Sequence, residues 1–198
     1  MSGNITTSDT ADSDVTLTGD VVISGSVDID TSQGTDGSIE FTKTIKGPGS
    51  GTNNLTLDTG DDTLTFHATN STIGVGDKPL SSLSIGQNGG TAAITVPQIG
   101  DANDDGVSGT VLIGTATSTS VTMRDQLYRF GSGNVTITAD TTGTIFSTAG
   151  NSTVDLAGGA FKITGAAKVS NGSLDINTAG GNIEITGDVV GHNGDESL

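Results

Sequence analysis

The chain has 198 residues, enough for one ordinary domain, with Gly at 31 positions, no Cys and only 3% aromatic residues. Seven Lys plus Arg against 23 Asp plus Glu give a net charge of −16, which excludes nucleic acid and anionic membrane surfaces as partners because both require clustered basic residues. No apolar stretch approaches the roughly 18 residues of a membrane span, so no membrane insertion is expected, and the abundance of Val, Ile and Thr favours strands over helices.

Residues 1–14 are polar and aperiodic, which predicts an N-terminal tail or cap. From residue 15 to residue 190, short segments that alternate apolar and polar residues follow one another. They are 15–17, 21–23, 27–29, 39–41, 55–57, 64–66, 83–85, 94–96, 135–137, 154–156, 161–163, 174–176 and 183–185. A period of two bounded by Gly, Asn, Asp or Ser predicts short strands buried on one side. Residues 115–131 interrupt the pattern and predict an irregular excursion, and residues 191–198 predict a C-terminal tail.

Two architectures place many short strands this close together. A β-sandwich needs longer strands and usually an aromatic-rich core, which this composition does not supply. A solenoid of stacked coils needs only narrow strands around a thin core, with small residues at the corners. The sequence therefore predicts an all-β parallel β-helix, with a β-sandwich as the alternative.

An internal repetition supports stacked coils. The segment 18–22 (Thr-Gly-Asp-Val-Val) recurs letter for letter at 186–190, an offset of 168 residues or eight times 21. This spacing predicts coils of about 20 residues and eight or nine coils in the chain. Because the motif stands near both ends, it also predicts that coils continue beyond the segment, either as neighbouring repeats of a longer chain or by end-to-end self-association into a filament.

The run 54–66, followed by 71–74 and 79–85, resembles the degenerate repeats of filamentous-haemagglutinin-like and autotransporter-like bacterial surface proteins. The resemblance extends more loosely from residue 15 to residue 190, without the Asn-Pro-Asn-Gly signature of that family's secretion domain. It implies a right-handed, single-stranded parallel β-helix. It also implies a structural or adhesive, non-catalytic segment of an extracellular or cell-surface bacterial protein, with host or environmental glycans as partners.

The alternative function is a carbohydrate-binding or polysaccharide-cleaving β-helix, which would need paired carboxylates for acid–base chemistry. The Asp pairs 61–62 and 104–105, together with His67, are the candidates. Adjacent residues on a strand point to opposite faces, however, so neither pair predicts a catalytic site.

A calcium site is predicted between residues 101 and 107. Asp101, Asn103 and Asp105 stand at positions 1, 3 and 5 of a loop, and the Val107 carbonyl is available as a fourth ligand, as in the first half of an EF-hand loop. Position 12 is Leu112, so the acid that normally completes the shell is missing. The alternative is a plain acidic turn, since Asp, Asn and Gly are ordinary turn formers.

A partner-binding cluster is predicted at Arg124, Tyr128, Arg129 and Phe130, because Arg and Tyr are enriched at binding hot spots. The alternative is a strand or short helix that covers the rod, with the arginine stems packed along its surface.

Overall fold

A computed structural model describes residues 1–7, 13–33, 36–49, 52–67, 71–90, 92–140, 143–147, 151–170 and 172–191. Within these residues there are 23 strands and no helix. In chain order the strands are β1 Ile5–Thr6, β2 Val15–Leu17, β3 Val21–Val22, β4 Val27–Asp30, β5 Ile39–Phe41, β6 Ile45–Lys46, β7 Asn54–Asp58, β8 Leu64–Phe66, β9 Thr72–Ile73, β10 Ser82–Ile85, β11 Ile94–Val96, β12 Gln98–Ile99, β13 Val111–Ile113, β14 Val121–Met123, β15 Leu127–Phe130, β16 Val135–Thr138, β17 Thr144–Ser147, β18 Ser152–Leu156, β19 Phe161–Thr164, β20 Ala167–Ser170, β21 Leu174–Asn177, β22 Ile183–Ile185 and β23 Val189–Gly191.

The strands stack on three faces, each joined to the next by a corner. The first face runs β1-β4-β7-β10-β13-β16-β19-β22, and the third face runs β3-β6-β9-β12-β15-β18-β21. The second face consists of β2-β5-β8 and, after a break in hydrogen bonding, β11-β14-β17-β20-β23. Every described strand pair is parallel. The chain is therefore a β-solenoid, or parallel β-helix, and the β-sandwich alternative is wrong.

The coils are longer and fewer than the sequence predicts. Paired residues on the first face are 22 to 28 residues apart, and its eight strands mark seven turns. The repeated Thr-Gly-Asp-Val-Val motif does not mark equivalent positions, because Val21 lies on the third face and Val189 on the second. The motif is a corner sequence that serves two different corners, so its spacing does not measure the coil.

Two apolar ladders run along the inside of the first face, as expected for stacked coils. One consists of Val27, Leu55, Leu83, Val111, Val135 and Phe161, and the other of Ile29, Leu57, Ile85, Ile113, Ile137 and Ile163. Each of these side chains is at most 2% exposed. Every coil covers the apolar pair of the coil before it. Each coil therefore contributes roughly 25 cal/mol of stabilisation for every Å² of apolar surface that it removes from water.

The structure differs from the sequence prediction at two of the three expected boundaries, and most of the third lies outside the described residues. Ile5 and Thr6 pair with Ile29 and Asp30, so part of segment 1–14 forms the first strand of the stack. The interruption expected at 115–131 contains β14 and β15, which keep the regular register of their faces. Gly191 ends β23, and residues 192–198 of the expected C-terminal tail lie outside the described residues. No helix able to cross a membrane is found among the residues described.

Candidate functional site

The aromatic members of the predicted partner-binding cluster lie in the core. Tyr128 and Phe130 occupy the inward positions of β15 and are 0% exposed. The Tyr128 hydroxyl accepts a 2.6 Å hydrogen bond from the Asp125 amide, and burial raises the pKa of Tyr128. The prediction that these two residues contact a partner is therefore wrong. The alternative, a strand that carries arginines on its outer side, is what the structure shows.

Arg124 repairs the break in the second face. Elsewhere on this face, the carbonyl of the last residue of a strand accepts a hydrogen bond from the amide of the residue that follows the paired strand. The Phe41 carbonyl accepts such a bond from the His67 amide. At the corresponding place above β8, the residue that follows β11 is Pro97, which has no N–H to donate. Arg124 Nη1 reaches across and donates to the Phe66 carbonyl at 2.6 Å. The Arg124 guanidinium thus supplies the hydrogen bond to the Phe66 carbonyl that Pro97 cannot make.

The predicted calcium loop is held by its own backbone. It lies at the corner between β12 and β13, where Asp101 Oδ1 accepts the amides of Asn103 at 2.9 Å and Asp104 at 3.1 Å. Asp101 Oδ2 accepts the Gly76 amide from the preceding coil at 3.1 Å. These hydrogen bonds, that of Asn103 foremost, lower the pKa of Asp101. The carboxylate therefore organises the loop as an Asx turn.

One of the expected calcium ligands already takes part in the backbone hydrogen bonding of the solenoid. The Val107 carbonyl accepts the Gly131 amide at 2.8 Å, and the Val107 side chain is buried in the core. Among the described residues, no group of three or more His, Asp or Glu is placed to hold a metal ion. Calcium at Asp101, Asn103 and Asp105 stays a prediction.

The solenoid brings Arg129 onto this same loop, which the sequence treats as a separate feature. Arg129 Nη1 donates to the Ala102 carbonyl at 2.7 Å and lies 3.3 Å from the Asp101 carbonyl. Its Nε lies 3.5 Å from Asp155 Oδ2 in the next coil. Residues 27 to 28 apart in sequence meet here because that spacing is one turn of the solenoid. Arg129 links the loop to the strand above it and supplies a positive charge at the loop carbonyls.

A groove forms beside the loop because neighbouring corners differ in length. The corners between the third and first faces are long at 74–81 and 100–110 and short at 131–134 and 157–160. The long corners project above the short ones and leave two adjoining cavities of about 390 and 150 Å³. Asp105, Arg129 and Ala157 line both cavities. The remaining polar residues of the groove are Asp77, Asn103, Asp104, Ser108, Asp155 and Asn177.

Two carboxyl groups meet at the rim of this groove. The Asp77 amide donates to Asp104 Oδ2 at 2.9 Å. A hydrogen bond between the Asp77 and Asp104 side chains, together with their mutual repulsion, raises the pKa of Asp77. The rim therefore concentrates negative charge where it is open to solvent.

The histidine considered for acid–base chemistry, His67, lies away from this groove. It is an exposed residue at the end of β8, on the second face.

The groove and the bridge at Pro97 are the features that sequence reasoning missed. Pro97 directly after an alternating strand is the signal that could have revealed the lost hydrogen bond. Comparison of the chain with protein-family models, curated proteins and solved structures finds no match.

Proposed function

We propose that this chain is a non-catalytic structural or adhesive segment of an extracellular or cell-surface bacterial protein. The observation that carries the proposal is the solenoid itself, in which apolar ladders run inside a stack of seven coils. Such stacking builds a rod whose length grows by adding coils, and a net charge of −16 keeps its outer surface hydrated. The resemblance to filamentous-haemagglutinin-like repeats supports the same role.

The last described coil favours further stacking, either by end-to-end self-association or onto neighbouring repeats of a longer chain. Ile183 continues the ladder of Val27 and Phe161 yet is 50% exposed, and Ile185, which continues the ladder of Ile29 and Ile163, is only partly buried. A strand edge with exposed apolar side chains is a template for another strand. The buried ladder therefore has a natural continuation at this end.

Surface labelling of the source bacterium tests the proposed role. An antibody raised against the purified chain should label intact cells or fibres that extend from them. Labelling that appears only after the cells are lysed would contradict an extracellular role.

Glycan depolymerisation distinguishes this role from its alternative, a polysaccharide-cleaving β-helix. The purified chain should leave the length of acidic, neutral and amino-sugar polysaccharides unchanged over long incubation. Chain shortening that is lost on replacing Asp104 or Asp105 would contradict the non-catalytic proposal and establish a glycan-cleaving enzyme.

A further inference from the structure

We infer that the groove between the 101–106 loop and Arg129 binds a glycan chain that carries free amino groups. This inference rests on the proposed adhesive role, and it names the class of surface to which the rod adheres. Three properties of the groove support it: its rigidity, the arrangement of its polar groups and its charge.

The walls of the groove are fixed before any ligand arrives. The amides of Gly76 and Asp77 hold the 101–106 loop from one side through Asp101 and Asp104, and Arg129 holds it from the other. The packing between the two long corners is close, since a Cβ on Gly74 would lie 1.9 Å from the Gly106 carbonyl oxygen. A preformed site loses little conformational entropy on binding, which favours affinity.

Polar groups follow one another along the groove in the direction of the rod axis. Arg129, Asp155 and Asn177 occupy successive coils of the third face, and Asn177 Nδ2 donates to Asp155 Oδ1 at 2.8 Å. Carboxylate, guanidinium and amide groups supply the acceptors and donors that sugar hydroxyls need. Ala157, which has a small side chain, lines both cavities. A row of polar groups matches a linear ligand with repeating hydroxyls, and about 390 Å³ lies within the roughly 300–1,000 Å³ of ordinary ligand sites.

Charge selects among glycans. Four carboxyl groups line the groove, those of Asp77, Asp104, Asp105 and Asp155, against the single guanidinium of Arg129. Arg129 is already engaged by loop carbonyls and by Asp155. A uronic-acid chain would be repelled, whereas the ammonium groups of an amino sugar would form charge-assisted hydrogen bonds with the carboxylates of Asp104 and Asp105.

Calorimetric titration tests this inference with three oligosaccharides of equal length: glucosamine, N-acetylglucosamine and galacturonate oligomers. The buffer contains a chelator and about 0.15 M salt, so that long-range attraction to the acidic rod is screened. Binding of the glucosamine oligomer is expected, with at least about tenfold weaker binding of the other two. Equal binding of all three, or none of the glucosamine oligomer, would overturn the inference.

Matched variants locate the binding. Asp105→Asn removes a groove charge and Ala157→Trp fills the groove without changing charge, and each should weaken glucosamine binding about tenfold or more. Asp188→Asn and Ala116→Trp are the controls, since both residues are exposed at corners on other parts of the rod, and they should change the affinity less than twofold. Unchanged melting curves establish that each variant is folded.

Equal losses in Asp105→Asn and Asp188→Asn would show attraction to the overall charge and overturn the groove assignment. If the chain binds the glucosamine oligomer but the antibody does not label intact cells, only the proposed adhesive role is rejected. If the antibody labels intact cells but the chain does not bind the glucosamine oligomer, only the groove assignment is rejected.

Discussion

Thr144 carries a hydroxyl group into the core without a partner. It lies between Val121 and Ala167 in an inward ladder of the second face and is 0% exposed, and its Oγ1 has no hydrogen-bond partner among the described residues. A buried unpaired hydroxyl costs free energy that an isosteric methyl group avoids. We expect Thr144→Val to raise the free energy of unfolding by about 1 kcal/mol, measured by urea denaturation. Thr136→Val, on the outer side of β16, should give no comparable gain.

Asp101 contributes stability to the rod that is lost at acid pH. Its pKa in the folded chain is lowered by backbone hydrogen bonds, first that from Asn103, so the charged form is favoured by folding. The stability it contributes is present above the pKa of the unfolded chain and is lost as pH falls through the lower folded value. Melting curves of wild type and Asp101→Asn should therefore differ most near neutral pH and converge below about pH 4. A difference that is constant across this range would contradict the assignment.

Calcium binding can be separated from this structural role. If an ion binds at the 101–107 loop, calcium should raise the melting temperature relative to chelator, and Asp105→Ala should abolish that increment. Asp101→Ala should abolish it too, but it also removes the hydrogen bonds to Asn103 and Gly76 and lowers the melting temperature in chelator. Identical melting temperatures of the wild type in calcium and in chelator would leave the loop as a plain acidic turn.

At the scale of elements, the break between β8 and β11 shows how one residue changes a whole face. The Arg124 guanidinium donates to the Phe66 carbonyl where Pro97 cannot. Arg124→Met should lower the free energy of unfolding by about 2 kcal/mol, because the charge-assisted hydrogen bond to the Phe66 carbonyl is lost. In a Pro97→Ala background the loss should be clearly smaller, since the new amide can donate to Phe66. A double-mutant cycle measures this coupling, and additive effects would contradict the bridge.

The corners show the same dependence on context. Thr-Gly-Asp connects β2 to β3 at one end of the chain and β22 to β23 at the other, which are different corners of the coil. Local turn chemistry determines that the chain bends there, because Gly and Asp favour tight turns. It does not determine which faces the corner joins, since that depends on how many strands precede it.

At the scale of the whole molecule, the last coil should control self-association. Ile183 is half exposed at the open end of a ladder, and Ile183→Lys places a charge where another coil would stack. Leu112→Lys is the matched control, because Leu112 is also an exposed apolar residue (37%) of the first face but points outward in the middle of the rod.

Sedimentation velocity measures the association. We expect wild type and Leu112→Lys to form elongated particles that grow with concentration and with added salt, which screens repulsion between chains of charge −16. Ile183→Lys should stay monomeric. Growth of Ile183→Lys equal to that of wild type would contradict stacking at this end.

The sequence by itself determined the class of fold and thirteen of the 23 described strands, nearly all of them segments in which apolar and polar residues alternate clearly. Alternation in segments such as 27–29 and 161–163 places the apolar residues inside whatever their neighbours are, because the period of two is a property of the extended backbone. Short strands, small corner residues and few aromatics then leave a solenoid as the architecture that can bury them.

The tertiary structure alone decided the coil length, the burial of Tyr128 and the meeting of Arg129 with the 101–106 loop. Corners of different lengths set the number of residues per turn, so no fixed period in the sequence reveals which residues lie above one another. Arg129 reaches Ala102, and Arg124 reaches Phe66 from 58 residues away, only after the coils have stacked in register. Contacts between coils depend on the sum of all intervening corners, whereas strand formation depends only on adjacent residues.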